Sequence, residues 1–153
     1  MSRSTSYSST TCGRTATSLY NGSAGTLTQT SPMGRIVVAH LDDRDRMTQV
    51  DVPGVAESAR TFYDPLGRIE RVEQGTGAAQ RTVTYTYSPT SGYLESITDP
   101  LNRIVRFERD EAGRVTTQIL PDLREIGISY DGNGNVTSVT PPTSSLTGIV
   151  DVW

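Results

Sequence analysis

A turn signal returns about every eleven residues along this chain, and such spacing leaves room for little except consecutive short antiparallel strands. "NGSAG" begins at Asn21, "SPMG" at Ser31, "DDRD" at Asp42, "VPG" near Pro53, "DPLG" at Asp64 and "QGTG" at Gln74. The series continues with "SPTSG" at Ser88, "DPLN" at Asp99, "DEAG" at Asp110, "PD" at Pro121, "DGNG" at Asp131 and "PP" at Pro141. Asp, Ser and Asn bond their own backbone, Pro fixes φ, and Gly or Asn tolerates positive φ, so each cluster has a mechanism for turning the chain. The series is an internal repeat, and it outranks any single local motif.

The segments between turns have strand chemistry. "RTVTYTY" at 81–87 alternates Val83, Tyr85 and Tyr87 with Thr82, Thr84 and Thr86, a period of two. "IGISY" sets Ile126, Ile128 and Tyr130 on one side. No useful window carries a helical period. The fold class is all-β, an antiparallel strip of consecutive β-hairpins that is free to curve or spiral. Its buried positions are expected at Ile69, Val72, Val83, Tyr85, Ile104, Phe107, Ile126, Ile128 and Val136. One pattern departs from simple alternation. After most turns apolar residues recur at i and i+3: Met47/Val50, Ile69/Val72, Leu94/Ile97, Ile104/Phe107 and Val136/Val139. In a regular strand these would face opposite ways, so either a bulge resets the alternation or both faces are partly covered.

Composition narrows the class. The chain has 153 residues, a formal net charge of -3 and 34% hydrophobic residues. An acidic balance argues against a nucleic-acid partner, which calls for a basic face. All 14 basic residues are Arg; guanidinium pairs two-pronged with carboxylates and stacks on rings, and seven Tyr and 17 acids are present to receive it. The thin apolar content suits a sheet wet on one face. The longest apolar run, "IVVA" at 36–39, is far short of the roughly 20 residues of a membrane span. "MSRSTSYSSTTCGRTATS" has no apolar stretch, so no signal peptide is visible. The domain reading is a flexible Ser/Thr-rich arm at 1–18, a β-strip at 19–142 and a C-terminal tail strand at 143–153.

The motifs Tyr63-Asp64-x-x-Gly67-Arg68-Ile69 and Tyr130-Asp131-x-x-Gly134-Asn135-Val136, each with an apolar residue three further on, resemble the tyrosine–aspartate (YD) repeats of the rearrangement-hotspot (RHS) family. The step from Asp110 to Asp131 matches that family's repeat length, and the likeness covers about residues 20–141. Asp45 and Asn102 stand where the motif has glycine, and several copies lack the Tyr. The resemblance implies a wall segment of a β-hairpin shell or scaffold that is not an enzyme, self-associates or joins neighbouring RHS-type repeats, and is secreted or at the cell surface, in a bacterium. Related repeats in adhesion proteins open an alternative: a carbohydrate-binding or cell-surface adhesion module with a glycan partner.

Candidate chemistry is sparse. Asp64-Pro65 and Asp99-Pro100 are similar to the aspartate motif of the family's self-cleaving core, but Arg-Ile follows at the ordinary repeat positions and no glycine-rich core comes after. His40, the sole histidine, reads as a half-buried structural residue, since a base needs an orienting carboxylate and a nucleophile in reach. "GNGN" at 132–135 and "GTG" at 75–77 lack the third glycine and helix of a dinucleotide loop. "DGNGN" at 131–135 begins like a calcium loop, but Pro142 occupies the place of its bidentate Glu. Cys12, the only cysteine, has no disulfide or metal companion. "NGS" at 21–23 and "NVT" at 135–137 are sugar-acceptor sequons. No cofactor is expected and no catalytic or metal residue is assigned. Tyr85, Tyr87 and Tyr93, the natural sugar-stacking candidates, read first as cross-strand packing. The tail "LTGIVDVW" is β-prone; Leu146, Ile149, Val150, Val152 and Trp153 are the candidate assembly strand, to be packed on their own sheet or added to a neighbour.

Overall fold

The computed structural model describes residues 4–11 and 13–143; Cys12 and the tail positions Leu146, Ile149, Val150, Val152 and Trp153 lie outside them. The strands are β1 (Ser4–Thr11), β2 (Arg14–Asn21), β3 (Thr26–Thr30), β4 (Ile36–Leu41), β5 (Met47–Val52), β6 (Ala56–Tyr63), β7 (Ile69–Gln74), β8 (Arg81–Tyr87), β9 (Leu94–Thr98), β10 (Ile104–Arg109), β11 (Val115–Ile119), β12 (Glu125–Tyr130) and β13 (Val136–Thr143). A single 3-10 turn, Gly77–Ala79, is the one helical element among the described residues. The chain divides after Thr82, within β8, into two compact units, with β1–β7 in the first and β9–β13 in the second. Within each unit every strand pairs antiparallel with its neighbour in sequence. The all-β hairpin strip expected from the turn spacing is the fold.

Each unit is one sheet layer with two unlike faces. In the first, Tyr20, Leu27, Ala39, Val50 and Ala59 stand opposite one another strand by strand. One position along, on the other face, runs Thr26, His40, Gln49, Arg60 and Glu73. In the second unit Tyr85, Ile97 and Val105 form an apolar row. Thr86, Ser96, Arg106, Ile119 and Glu125 form a mostly polar one. Among the described residues only Ala39 is buried, at 5% exposure, as suits a unit built as a single sheet layer.

That geometry corrects the expected core. Val72, Val83, Tyr85, Ile104, Phe107, Ile126 and Ile128 are half-buried, while Ile69 and Val136 are exposed, at 38% and 56%. Residues 4–11 and 14–18, which fall in the arm expected to be flexible, lie in paired strands: β1 and β2 align Ser4 with Asn21 through Thr11 with Arg14 without a slip. Threonine's β-branching favours a strand, and Gly13 at φ 72 permits the reversal.

Bulges explain the i, i+3 pattern. Tyr63 pairs with Ile69 and Phe62 with Arg71, so Glu70 is the extra residue. The same slip leaves Thr48, Glu95, Thr116 and Thr137 unpaired. Each extra residue turns Met47 and Val50, Ile69 and Val72, Leu94 and Ile97, or Val136 and Val139 to one face. Ile104 and Phe107 are the exception: their strand has no slip between them, and they face opposite ways.

Because Phe107 is half-buried in a single layer, its replacement by Ala is expected to cost about 2 kcal/mol, below the roughly 3–5 typical of a closed core. Val139→Ala, at 61% exposure, should cost under about 0.5 kcal/mol. Urea unfolding of both variants measures the difference.

Candidate functional site

Among the described residues seven turns share one backbone design. At Asp64 the N–H donates to the Arg68 carbonyl and the Gly67 N–H donates back to the Asp64 carbonyl, each at 2.9 Å. The same two bonds close the turns that begin at Ser31, Asp42, Asp99, Asp110, Leu120 and Asp131. This is a three-residue hairpin loop, a type I turn whose last residue is left-handed. That residue is Gly34, Asp45, Gly67, Asn102, Gly113, Leu123 or Gly134, with φ between 58 and 86. Asp and Asn accept this conformation, which is why Asp45 and Asn102 replace glycine without breaking the repeat. Leu123 is held there against its preference.

A side-chain clip locks four of these turns. One Asp64 oxygen accepts the Arg68 backbone N–H at 2.9 Å, and the other accepts the Arg68 Nε and Nη2 at 2.7 Å. Asp42–Arg46, Asp99–Arg103 and Asp110–Arg114 repeat the arrangement. At Asp131 an Asn135 amide replaces the guanidinium, at 2.9 Å. Asp122 clips Arg124 only two residues on, at 2.7 Å. The guanidinium and then the backbone N–H of the paired arginine hold the Asp42, Asp99 and Asp110 carboxyls below the ordinary carboxylate range. At Asp64 burial pushes the carboxyl up, but the backbone and side-chain bonds from Arg68 together outweigh it.

Two of the clips, one in each unit, are tied to the next hairpin by an aromatic ring. The Arg46 guanidinium lies 4.3 Å from the Tyr63 ring centre, and the Tyr63 hydroxyl donates to the Met47 carbonyl at 2.8 Å. Arg114 lies 4.7 Å from the Tyr130 ring, and Tyr130 donates to the Val115 carbonyl at 2.8 Å. Each tyrosine thus covers the arginine of the turn before it and bonds the first residue of the strand beyond. Glycine suits position 67 in two ways: its φ is 83, and a Cβ there would come 3.2 Å from Arg46 Nη1, so the guanidinium would have to give slightly.

At the turn over residues 88–93 the two partners have exchanged places. Tyr93 occupies the arginine position, just before Leu94, and Arg109 the tyrosine position, just before Asp110. Arg109 still lies over the Tyr93 ring, 5.3 Å from its centre, and donates Nη2 to the Leu94 carbonyl at 3.3 Å, the bond made elsewhere by tyrosine. A Cβ on Gly113 would collide with Tyr93. Sequence reasoning missed this pair because the copy lacks the Tyr-Asp signature; the Ser88 and Asp110 turn positions were the available signal.

The remaining sequence candidates find structural partners. His40 Nε2 lies 2.8 Å from Asp51 Oδ2, and Gln49 also donates to that carboxylate. Bonds from Ser58, then Gln49 and His40, hold the Asp51 carboxyl low. Asp131, the start of the calcium-like string, spends its oxygens on Asn133 N–H, Asn135 N–H and the Asn135 amide. Asp64-Pro65 and Asp99-Pro100 are ordinary clipped turns. Tyr85 and Tyr87 are half-buried in the apolar face, and Tyr93 carries Arg109 5.3 Å from its ring centre while staying 47% exposed. No helix among the described residues is long and apolar enough to cross a membrane.

A family model described as Teneurin YD-shell matches residues 13–147. No curated protein matches the chain closely enough to count as a relative.

The clips make stability depend on acid. A carboxyl whose folded pKa is lowered contributes stability that is complete above its unfolded value, near pH 4, and is lost as pH falls through the lower folded value. Thermal unfolding followed by circular dichroism from neutral pH downward should show a falling midpoint below about pH 4. Asp110→Asn should lower the midpoint at neutral pH and flatten that fall.

Proposed function

Because the chain belongs to the Teneurin YD-shell family, we propose that this structural shell module acts without catalysis, as a length of wall that grows by pairing its strand edges with further YD-repeat strands. The observation that carries the reading is the uniformity of the turns. One backbone design and one clip recur across both units, which gives each hairpin a similar length and makes it interchangeable with a neighbour. A repeat of this kind contacts mainly its neighbours, so its stability and its assembly are both additive along the strip.

The edges support the same reading. Among the described residues β1 pairs only with β2. It is eight residues long, "STSYSSTT", with no charge and no proline. Natural edge strands that stay single are guarded by lysine, proline or a bulge, and β1 has none of these.

Light scattering over a wide concentration range tests the proposal. The expected mass exceeds that of the 16.6 kDa chain and rises with concentration. Ser6→Lys with Ser8→Lys, which places charge along the β1 edge, should lower it. A single-chain mass at every concentration would overturn the assembly.

A further inference from the structure

We infer that the first unit carries a binding site for a small apolar carboxylic acid, with the carboxylate on Arg35 and the body of the ligand against Tyr7. A trough of about 580 Å3 lies over β1–β4, on the face that holds Leu27 and Ala39. The strand registers explain it. Tyr7, Ser18, Gln29 and Val37 stand opposite one another from β1 to β4. Ser9 and Ala16 pair two positions nearer the Ser31 turn, on the same face. Serine and alanine are short, so the surface is low between Tyr7 on one side and Gln29 and Arg35 on the other, all three of which line the trough. Carbon atoms make up most of its lining, and its volume is that of a small-ligand site.

The charge comes from a gap in the repeat. Ser31 opens its turn where Asp42, Asp64, Asp99 and Asp110 open theirs, and the same two backbone bonds close it. The Ser31 hydroxyl accepts the Arg35 backbone N–H at 3.0 Å, which is half of the clip. It has no second oxygen to meet the guanidinium. Arg46, Arg68, Arg103 and Arg114 each hold a carboxylate oxygen at 2.6 or 2.7 Å; among the described residues the Arg35 guanidinium holds none. A guanidinium in this place takes a carboxylate with two bonds, and here the ligand supplies it. Tyr7 is 71% exposed, so its ring is open to stack on a flat apolar body. The trough lies on the sheet face and not along the β1 edge, so it fills whether or not the chain assembles, and its failure would leave the proposed assembly untouched.

Calorimetric titration of the full chain with naphthoate, and with naphthamide as its neutral analogue of the same shape, tests the site. The acid should bind at least about tenfold more tightly than the amide. Arg35→Gln should remove that preference, and Tyr7→Ala should weaken both ligands alike. Ser31→Asp, which restores the carboxylate found in the other clips, should also remove the preference while the thermal midpoint stays at or above that of the parent, so the loss is not one of folding. Equal binding of acid and amide to the parent chain, or an unchanged preference in Ser31→Asp, would overturn the assignment to Arg35. Tighter binding of glucuronate, an acid on a polar ring, would overturn the apolar class of ligand.

Discussion

An aspartate that accepts both the backbone N–H and the guanidinium of the arginine four residues on fixes the length of a turn, and turn length fixes the register of the strands on either side. A one-residue slip would turn every side chain to the wrong face. The clip therefore protects the distinction between the Leu27–Ala39–Val50 row and the His40–Gln49–Arg60 row. Guanidinium is suited to the task because its planar fork meets a carboxylate with two bonds while its face stays open to a ring. Arg46 and Arg114 use both properties at once.

The ring contact compensates for what a single layer lacks. With Ala39 alone buried among the described residues, the strip cannot rely on a closed core, and neighbours along the face supply shielding. Tyr63 and Tyr130 add a second kind of tie at the rim, a stack on one turn and a hydrogen bond to the strand beyond it. A cation over an aromatic face contributes about 0.5–1 kcal/mol at an exposed site. The contribution repeats with each copy, so a long strip accumulates it where a globular domain would accumulate buried area.

The architecture was legible because turn chemistry is local: Asp, Pro, Gly and Asn announce themselves at fixed offsets, and the strand count follows from their spacing. The i, i+3 recurrence pointed correctly to a bulge at four of its five pairs. Burial was less legible, because Ile69 and Val136 have core composition but stand at the first positions of their strands, next to a turn, where they stay 38% and 56% exposed. The described part of the polar stretch at 1–18 was hard to read for the opposite reason: Thr and Ser suggest flexibility by composition, yet residues 4–11 and 14–18 lie in paired strands joined through Gly13. The Leu120–Arg124 turn carries leucine at its left-handed position and so hides its membership. The exchange of Tyr93 with Arg109 was invisible because a motif records residue types in order, whereas the stack depends only on which two groups meet.

That last point is where the account is most exposed, since it holds that the contact between arginine and ring, irrespective of which strand supplies which, joins one hairpin to the next. Restoring the common order in the chain, Tyr93→Arg together with Arg109→Tyr, tests it against the two single replacements in a double-mutant cycle followed by urea unfolding. The single variants, which place two cations or two rings together, should each lose about 1 kcal/mol or more, and the double variant should return to within about 0.5 kcal/mol of the parent. Losses that simply add in the double variant would show that Tyr93 and Arg109 act independently, and would contradict the central role given to the stack.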